Sequence, residues 1–475
     1  MLFRVFSALV FCVSLPLFAR EEWVRLTTPH FEMLTTAGEK KGREAILYFE
    51  QVRSFFIQAS PKKQAPQFPV RIVAFRSEKE YAPYRPNESA IAYYHRDRSR
   101  DSIVMEDIQS EHFPVAIHEY THLIIEHSGL KLPVWMNEGW AELYSTLRPQ
   151  GKQALVGDIP LGRLQILRTE KWLDLATVTS VDRNSPLYNE KNKSHIFYSE
   201  AWALMHMLYL SDAYRPNFTK FVVTVANGKT TAEAFESVYG RSLADVQKDL
   251  NGYVLGSFFH GALFDIKLAK SEEDADVSTP LSFEVQMALA DLLAGRKPDE
   301  ARQRYEQIAK ENPGRPEVEE SLGYLAWRDK DIAGAREHFA KAIAAGTKNP
   351  QMCFHYAMLD RRGGDLKKEA IPALDRALEL KPDYLEARLE LGMMYLNMHE
   401  WNAALINLAT IKHVDEEHAH RLFSGLAYAD MHLGDAEAAR KNAELAKKYA
   451  ATDDEKRQSD ELLRYLDRTP ASRPQ

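Results

Sequence analysis

The chain has 475 residues, 27% of them charged and 45% hydrophobic, with a formal net charge of -7. That balance is ordinary for a globular protein of two to four domains, and it gives no electrostatic reason to expect a nucleic-acid partner. Past the N-terminal segment the only cysteine is Cys353, which excludes an internal disulfide, so stability has to come from burial.

Residues 1–19 place Arg4 ahead of an apolar run, Val5 to Leu15, and end on Ala19. A basic start, a short apolar core and a small terminal residue predict a signal peptide, hence an exported protein, periplasmic or extracellular in a bacterium. The run is short for a membrane span, and no later stretch is long and apolar enough to make one. Residues 22–35 predict an opening strand near Pro29. Apolar spacing from Ala45 to Phe56 predicts a helix over 38–59. Strands are expected at 69–75, 90–94 and 101–105, with a short helix at 77–84 and a charged hairpin tip at 95–100.

His118-Glu119-Tyr120-Thr121-His122 then lies inside an apolar-periodic run, Val115 to Ile125. On a helix, positions i and i+4 share a face, so two imidazoles can grip one metal ion with Glu119 beside it. Sixteen residues past His122 comes Glu138, in the stretch Pro133-Val134-Trp135-Met136-Asn137-Glu138-Gly139-Trp140-Ala141-Glu142. Pro133 suits a helix start, and Glu138 and Glu142 then fall one turn apart on one face. Glu138 can be a third ligand that leaves the fourth position open, and Glu142 can accept the second ring N–H of a ligand histidine.

This order of motifs resembles the gluzincins, the thermolysin-like zinc metallopeptidases, and the phrase around Glu138 is similar to bacterial peptidase MA-like domains. The resemblance implies an α+β metallopeptidase domain over residues 20–265, with an α+β lobe to about 145 and a helical lobe after it. It implies one Zn2+ ion held by His118, His122 and Glu138, with Glu119 as general base and Glu142 behind a ligand histidine. Thermolysin-type members usually carry Asp at the position of Glu142. The resemblance also implies an edge strand over the metal that binds substrate by strand addition, and Ile103 to Glu106 is the expected edge.

Helices are predicted at 199–210, 217–227, 231–239 and 242–259. Tyr198 opens a Tyr-Ser-Glu-Ala-Trp phrase similar to a helix of peptidase MA-like domains. It is the first choice for steadying a developing oxyanion, its other reading being a half-buried packing aromatic. Tyr188 and His195 are lesser choices, and His112, His127 and His206 read as packing or surface histidines. Residues 266–283 are charged and weakly patterned, and read as a linker.

Beyond it an internal repeat of about 34 residues carries small residues at fixed offsets. Leu322, Gly323, Ala335, Phe339 and Ala342 make the clearest copy, and Leu391, Gly392, Tyr395, Ala404 and Leu408 make another. These offsets resemble tetratricopeptide repeats and imply an all-α solenoid of about five helix pairs over 284–450, capped by residues 451–475. Two functions are therefore in view. One is an exported zinc metallopeptidase whose array binds a protein partner or substrate. The alternative is a non-catalytic interaction scaffold acting through the repeats, with a vestigial zinc site. Substrate preference and endo- or exopeptidase action stay open.

Overall fold

The computed structural model describes residues 22–59, 69–88, 90–96, 100–256, 259–359 and 367–468. The expected signal peptide lies outside the described residues. Two compact units divide the chain, the first ending at Val285 and the second starting at Gln286.

The first unit opens with β1 (Val24–Thr27) and β2 (Phe31–Thr35), α1 (Glu39–Ala59), β3 (Val70–Ala74), α2 (Glu78–Tyr81), β4 (Ala92–Arg96) and β5 (Asp101–Met105). The single opening strand expected over 22–35 is two strands, because Thr28 Oγ1 accepts the Phe31 N–H and closes a turn around Pro29. Next come α3 (Phe113–His127), α4 (Val134–Ser145), β6 (Arg148–Gln150), β7 (Gln153–Val156), α5 (Leu161–Thr169), α6 (Leu175–Ser180), α7 (Pro186–Asn189) and α8 (Lys191–Leu210). The unit continues through α9 (Phe218–Ala226), α10 (Thr231–Tyr239), α11 (Leu243–Leu255), β8 (Ala262–Asp265), α12 (Lys270–Glu273) and β9 (Asp276–Ser278).

The larger sheet runs β4-β5-β3-β2-β1-β9, parallel only between β2, β3 and β5. This corrects the expected edge. The hairpin puts β4 outside and β5 within, so the strand at 101–105 is not the free one. Residues 266–283 are also more than a linker: β9 pairs with β1, and Ile266 and Ala275 are buried in the unit's core. Their alternating exposed charges hid a short edge strand.

Phe31, Met33, Ile72 and Ile103 of the sheet bury against Phe49 and Val52 of α1 and Tyr120 of α3. Phe31 stands 5.7 Å from Phe49 and 5.5 Å from Tyr120, ring to ring. Each such side chain contributes about 1.5–3 kcal/mol of transfer free energy. The inward face of α3 is therefore fixed by packing, which turns the opposite face, with His118 and His122, to the cleft.

Helix α4 is set against α8 by a glycine. A Cβ on Gly139 would stand 2.5 Å from the Ala201 carbonyl oxygen, so only glycine permits this approach. Trp135 Nε1 donates to Thr231 Oγ1 at 3.0 Å and ties α4 to α10. Helix α8 begins at Lys191, so Tyr198 lies well inside it and not at its start.

Among the described residues the second unit is all helix. Five antiparallel pairs follow in chain order: α13 (Ser282–Ala294) with α14 (Pro298–Glu311), α15 (Pro316–Arg328) with α16 (Ile332–Ala344), and α17 (Pro350–Met358) with α18 (Lys367–Leu380). The others are α19 (Leu385–Asn397) with α20 (Trp401–Ala409) and α21 (Glu416–Leu433) with α22 (Ala436–Tyr449), closed by α23 (Asp453–Arg468). The small residues act as their spacing demands. A Cβ on Gly323 would meet the Phe339 ring at 2.5 Å, and one on Gly392 would meet Leu408 at 2.5 Å. Cys353 is fully buried, and burial pushes its thiol up to about 11.

Candidate metal centre

His118 and His122 sit one turn apart on α3, and Glu138 faces them from α4. The two Nε2 atoms are 3.1 Å apart, and each lies 3.4 Å from Glu138 Oε2. Glu138 is buried, and among the described residues its Oε2 has no hydrogen-bond partner. Burial alone would raise this carboxyl. The imidazoles of His118 and His122 outweigh it and hold Glu138 well below the usual carboxylate range. Burial pulls His122 down, but Glu138 and Asn137 carry it up to about 9.

The triangle of 3.1, 3.4 and 3.4 Å has a chemical meaning. A tetrahedral zinc with bonds of about 2.0–2.1 Å has ligand-to-ligand edges of about 3.3–3.4 Å. Two imidazole nitrogens and one carboxylate oxygen, with one carboxylate oxygen orphaned, are the donor set such an ion takes.

Each donor is held from behind. His122 Nδ1 meets Asn137 Oδ1 at 2.8 Å. His118 Nδ1 lies 3.6 Å from Glu142 Oε1, an ion-pair distance and not a tight hydrogen bond. Glu142 is gripped by Arg163 of α5, whose Nη2 and Nε donate to its two oxygens at 2.7 and 2.9 Å. Tyr188 Oη donates to Glu138 Oε1 at 3.0 Å, which leaves Oε2 turned to the histidines. Sequence reasoning missed Asn137 and Arg163 as supports and placed Tyr188 only among the lesser oxyanion choices. Asn137 adjoins Glu138 in the quoted phrase, whereas Arg163 belongs to no motif.

Glu119 meets the edge strand. Glu106 N donates to Ile91 O at 2.8 Å, and Tyr93 pairs with Val104. Ladder alternation then turns the Tyr94 N–H to the open side of β4, where it donates to Glu119 Oε2 at 3.2 Å. Tyr94 Oη donates to Asp101, which also holds His127 Nε2 at 2.7 Å. That chain fixes the end of α3 to the β4–β5 hairpin.

A cavity of about 340 Å³ opens beside the site, lined by Pro114, Val115, His118, Glu119, Arg163 and Tyr198 among others. Burial, with Glu138 and Glu142 nearby, drives the Tyr198 hydroxyl far above its ordinary value. Tyr188 is pushed up to about 12, burial first and Glu138 second. His195 pairs with Glu170 at 2.8 Å and His112 with Asp107 at 2.7 Å, away from these donors. His206 is buried between Tyr253 and the Gly157 carbonyl, and burial brings it down to about 4.

A second cluster joins His30, Glu50 and Glu272. His30 Nδ1 is 3.0 Å from Glu50 and 3.4 Å from Glu272, while Arg53 lies 3.9 Å from Glu272. Arg53 and the His30 ring both face these carboxylates, so the group is partnered within the protein. The cluster clasps the β1–β2 turn, α1 and α12 together.

Comparison with known proteins bears on the second unit. A tetratricopeptide-repeat family model matches residues 286–350. Among solved structures, YrrB, described as a tetratricopeptide protein with an unusual peptide-binding site, is 20% identical. It covers 37% of this chain and 90% of its own, with a TM-score of 0.33. MamA is 23% identical over 35% of this chain and 91% of its own, with a TM-score of 0.29. A thermophilic tetratricopeptide protein of Thermus thermophilus is 21% identical over 38% of this chain and 99% of its own, with a TM-score of 0.24. No curated protein matches. The second unit is a tetratricopeptide array, and such arrays serve protein interaction. Among the described residues no helix is long and apolar enough to cross a membrane.

Proposed function

We propose that the chain is a zinc-dependent peptidase of the gluzincin type, exported, whose repeat array binds a protein partner or substrate. The observation that carries the catalytic half is the convergence of His118 Nε2, His122 Nε2 and Glu138 Oε2 within 3.4 Å of one another. A zinc ion held by these three residues would supply Lewis acidity, polarising a carbonyl and lowering the pKa of a water.

The chain's own groups supply the rest. Glu119 lies between the ligand histidines and is the carboxylate placed to take a proton from water and pass it to a leaving amine. The Tyr94 N–H engages one of its oxygens, which leaves the other for that transfer. Tyr198 keeps its proton, because burial beside Glu138 and Glu142 disfavours the phenolate. It therefore donates, as a group that steadies a developing oxyanion must. Asn137 and Glu142 hold the rings of His122 and His118, and Tyr188 holds Glu138. The open edge of β4, next to Glu119, is where an extended substrate backbone would add as a strand.

The repeat-family match favours a second reading more directly than the first: a protein-interaction scaffold acting through its array, with the donor cluster of the first unit vestigial. The experiment that separates them uses zinc-loaded full-length protein beside Glu119→Gln, each given a diverse peptide library and read by mass spectrometry. Cleavage by the unmutated protein alone supports the peptidase. Equal cleavage by Glu119→Gln overturns the mechanism, and zinc bound with no cleavage by either supports the scaffold.

A further inference from the structure

The two oxygens of Glu138 meet different neighbours. Oε2 stands 3.4 Å from the Nε2 atoms of His118 and His122 and has no hydrogen-bond partner among the described residues. Oε1 accepts the Tyr188 hydroxyl at 3.0 Å. An ionised carboxylate can only accept, so the phenol is the donor, and the charge on the acceptor strengthens the bond.

Tyr188 is carried to that oxygen by a built turn, the short helix α7. Ser185 Oγ accepts the Leu187 N–H at 3.3 Å, Pro186 occupies the first helical position, and Asn189 Nδ2 donates to the Arg183 carbonyl at 2.7 Å. The ring then lies edge-on to Phe197 at 6.4 Å and beside Tyr198 at 6.2 Å, both on α8. These ring contacts need no oxygen, and phenylalanine would serve them equally. What tyrosine adds here is the bond to Glu138.

That bond bears on the number of ligands. A carboxylate can hold an ion through one oxygen or through both. Through both, Glu138 and the two imidazoles would offer four donor atoms and crowd the position that a catalytic zinc site keeps open. With Oε1 engaged by Tyr188, Oε2 is the oxygen left to the ion. We infer that Tyr188 is a positioning residue that restricts Glu138 to one-oxygen ligation and so keeps the fourth position of the site free. The inference deepens the proposed peptidase site and rests on it. Asn137 and Glu142 orient rings, and their loss should cost metal. Tyr188 sets a ligand count, and its loss should keep the metal and cost the open position.

The test loads cobalt(II) into the full-length protein and into Tyr188→Phe, because the visible absorption of cobalt follows its ligand set, whereas zinc is silent. Azide is the probe of the open position. The variant keeps the ring contacts, so its metal-free melting temperature should match the parent's. One cobalt per chain is expected in both proteins, bound at least as tightly by the variant. The variant's spectrum should differ, and its azide affinity should fall about tenfold, as should kcat on any peptide the parent cleaves, with KM nearly unchanged. An unchanged spectrum with unchanged azide affinity overturns the inference and leaves the peptidase reading standing. Weaker metal binding with unchanged azide affinity also overturns it, since Tyr188 would then only steady a ligand. Weakened azide binding in a protein whose parent cleaves no peptide supports the hold on Glu138 and overturns the peptidase reading instead. A parent that takes up no cobalt overturns both.

Discussion

The two units partner their buried polar groups differently. In the array the buried set is mainly alanine and leucine packed between neighbouring helices, and its buried carboxylates Glu390 and Asp430 take their partners, Arg421 and Asn442, from nearby helices of the stack. In the first unit the buried set includes carboxylates: Glu50 and Glu200 are fully buried, and Glu138 and Glu142 nearly so. A buried carboxylate is tolerated where partners are supplied or where it keeps its proton. Glu142 answers to Arg163 and His118, and Glu138 to His118, His122 and Tyr188. The array is thus stabilised by nearest neighbours, and damage there should stay local. The first unit is organised around polar groups that meet across the fold, and damage there should travel.

The strongest way to break that contrast is a pair of matched glycine substitutions. Gly139→Ala drives a methyl to within 2.5 Å of the Ala201 backbone carbonyl, which neither helix can yield cheaply. We expect a loss of about 3 kcal/mol, the upper range for overpacking, together with weakened metal binding because Glu138 is the neighbouring residue. Gly323→Ala meets the Phe339 ring at the same 2.5 Å, but a ring can shift. About 1 kcal/mol is expected there, with no effect on metal. Thermal melting and metal titration of the two variants check both halves.

Glu200 gives a second test, this time through pH. One oxygen accepts the Leu173 N–H at 2.7 Å, the other has no partner among the described residues, and burial raises the carboxyl to about 8 from 4.5. The folded protein therefore holds a proton that the unfolded chain releases. Stability from this group is complete below about pH 4.5 and is lost as pH rises toward about 8. Glu200→Gln keeps the acceptor and removes the titration. Its melting temperature should match the parent at pH 4.5 and exceed it at pH 8.5, by about 1–3 kcal/mol of stability. An equal difference at both pH values would contradict the assignment.

The smallest expected effect is Asn137→Ala. It frees the His122 ring but removes no donor, so metal affinity should drop about tenfold, read by competition with a chelator. The melting temperature of the metal-free protein should hardly move.

The legibility of the two units differs for the same reason as their burial. Gly323, Ala335 and Phe339 announce the array because each repeat buries itself against the next, and neighbours in space are neighbours in sequence. His118, Glu119 and His122 are legible because a helix places i and i+4 together. Glu138 follows on the next helix, close enough for a phrase to carry it, whereas Asn137 stands in that phrase without its role being marked. Arg163 and Tyr188 reach the site only through the packing of α5 and α7 on α8, which no local pattern encodes. The free edge was misplaced because residue alternation marks a strand and says nothing of its order in the sheet. The stretch around β9 was read as a linker because its exposed charges outnumber the few residues it pairs and buries.

The proposed function requires one metal ion that joins α3 to α4 through Glu138. The most direct measurement is the zinc content and zinc affinity of the full-length protein, of Glu138→Gln and of Glu119→Gln. One zinc per chain is predicted, retained by Glu119→Gln and weakened by more than about a hundredfold in Glu138→Gln, beyond the usual loss for an outer support. A parent protein that takes up no zinc, or a Glu138→Gln variant that holds it as tightly, would contradict the account.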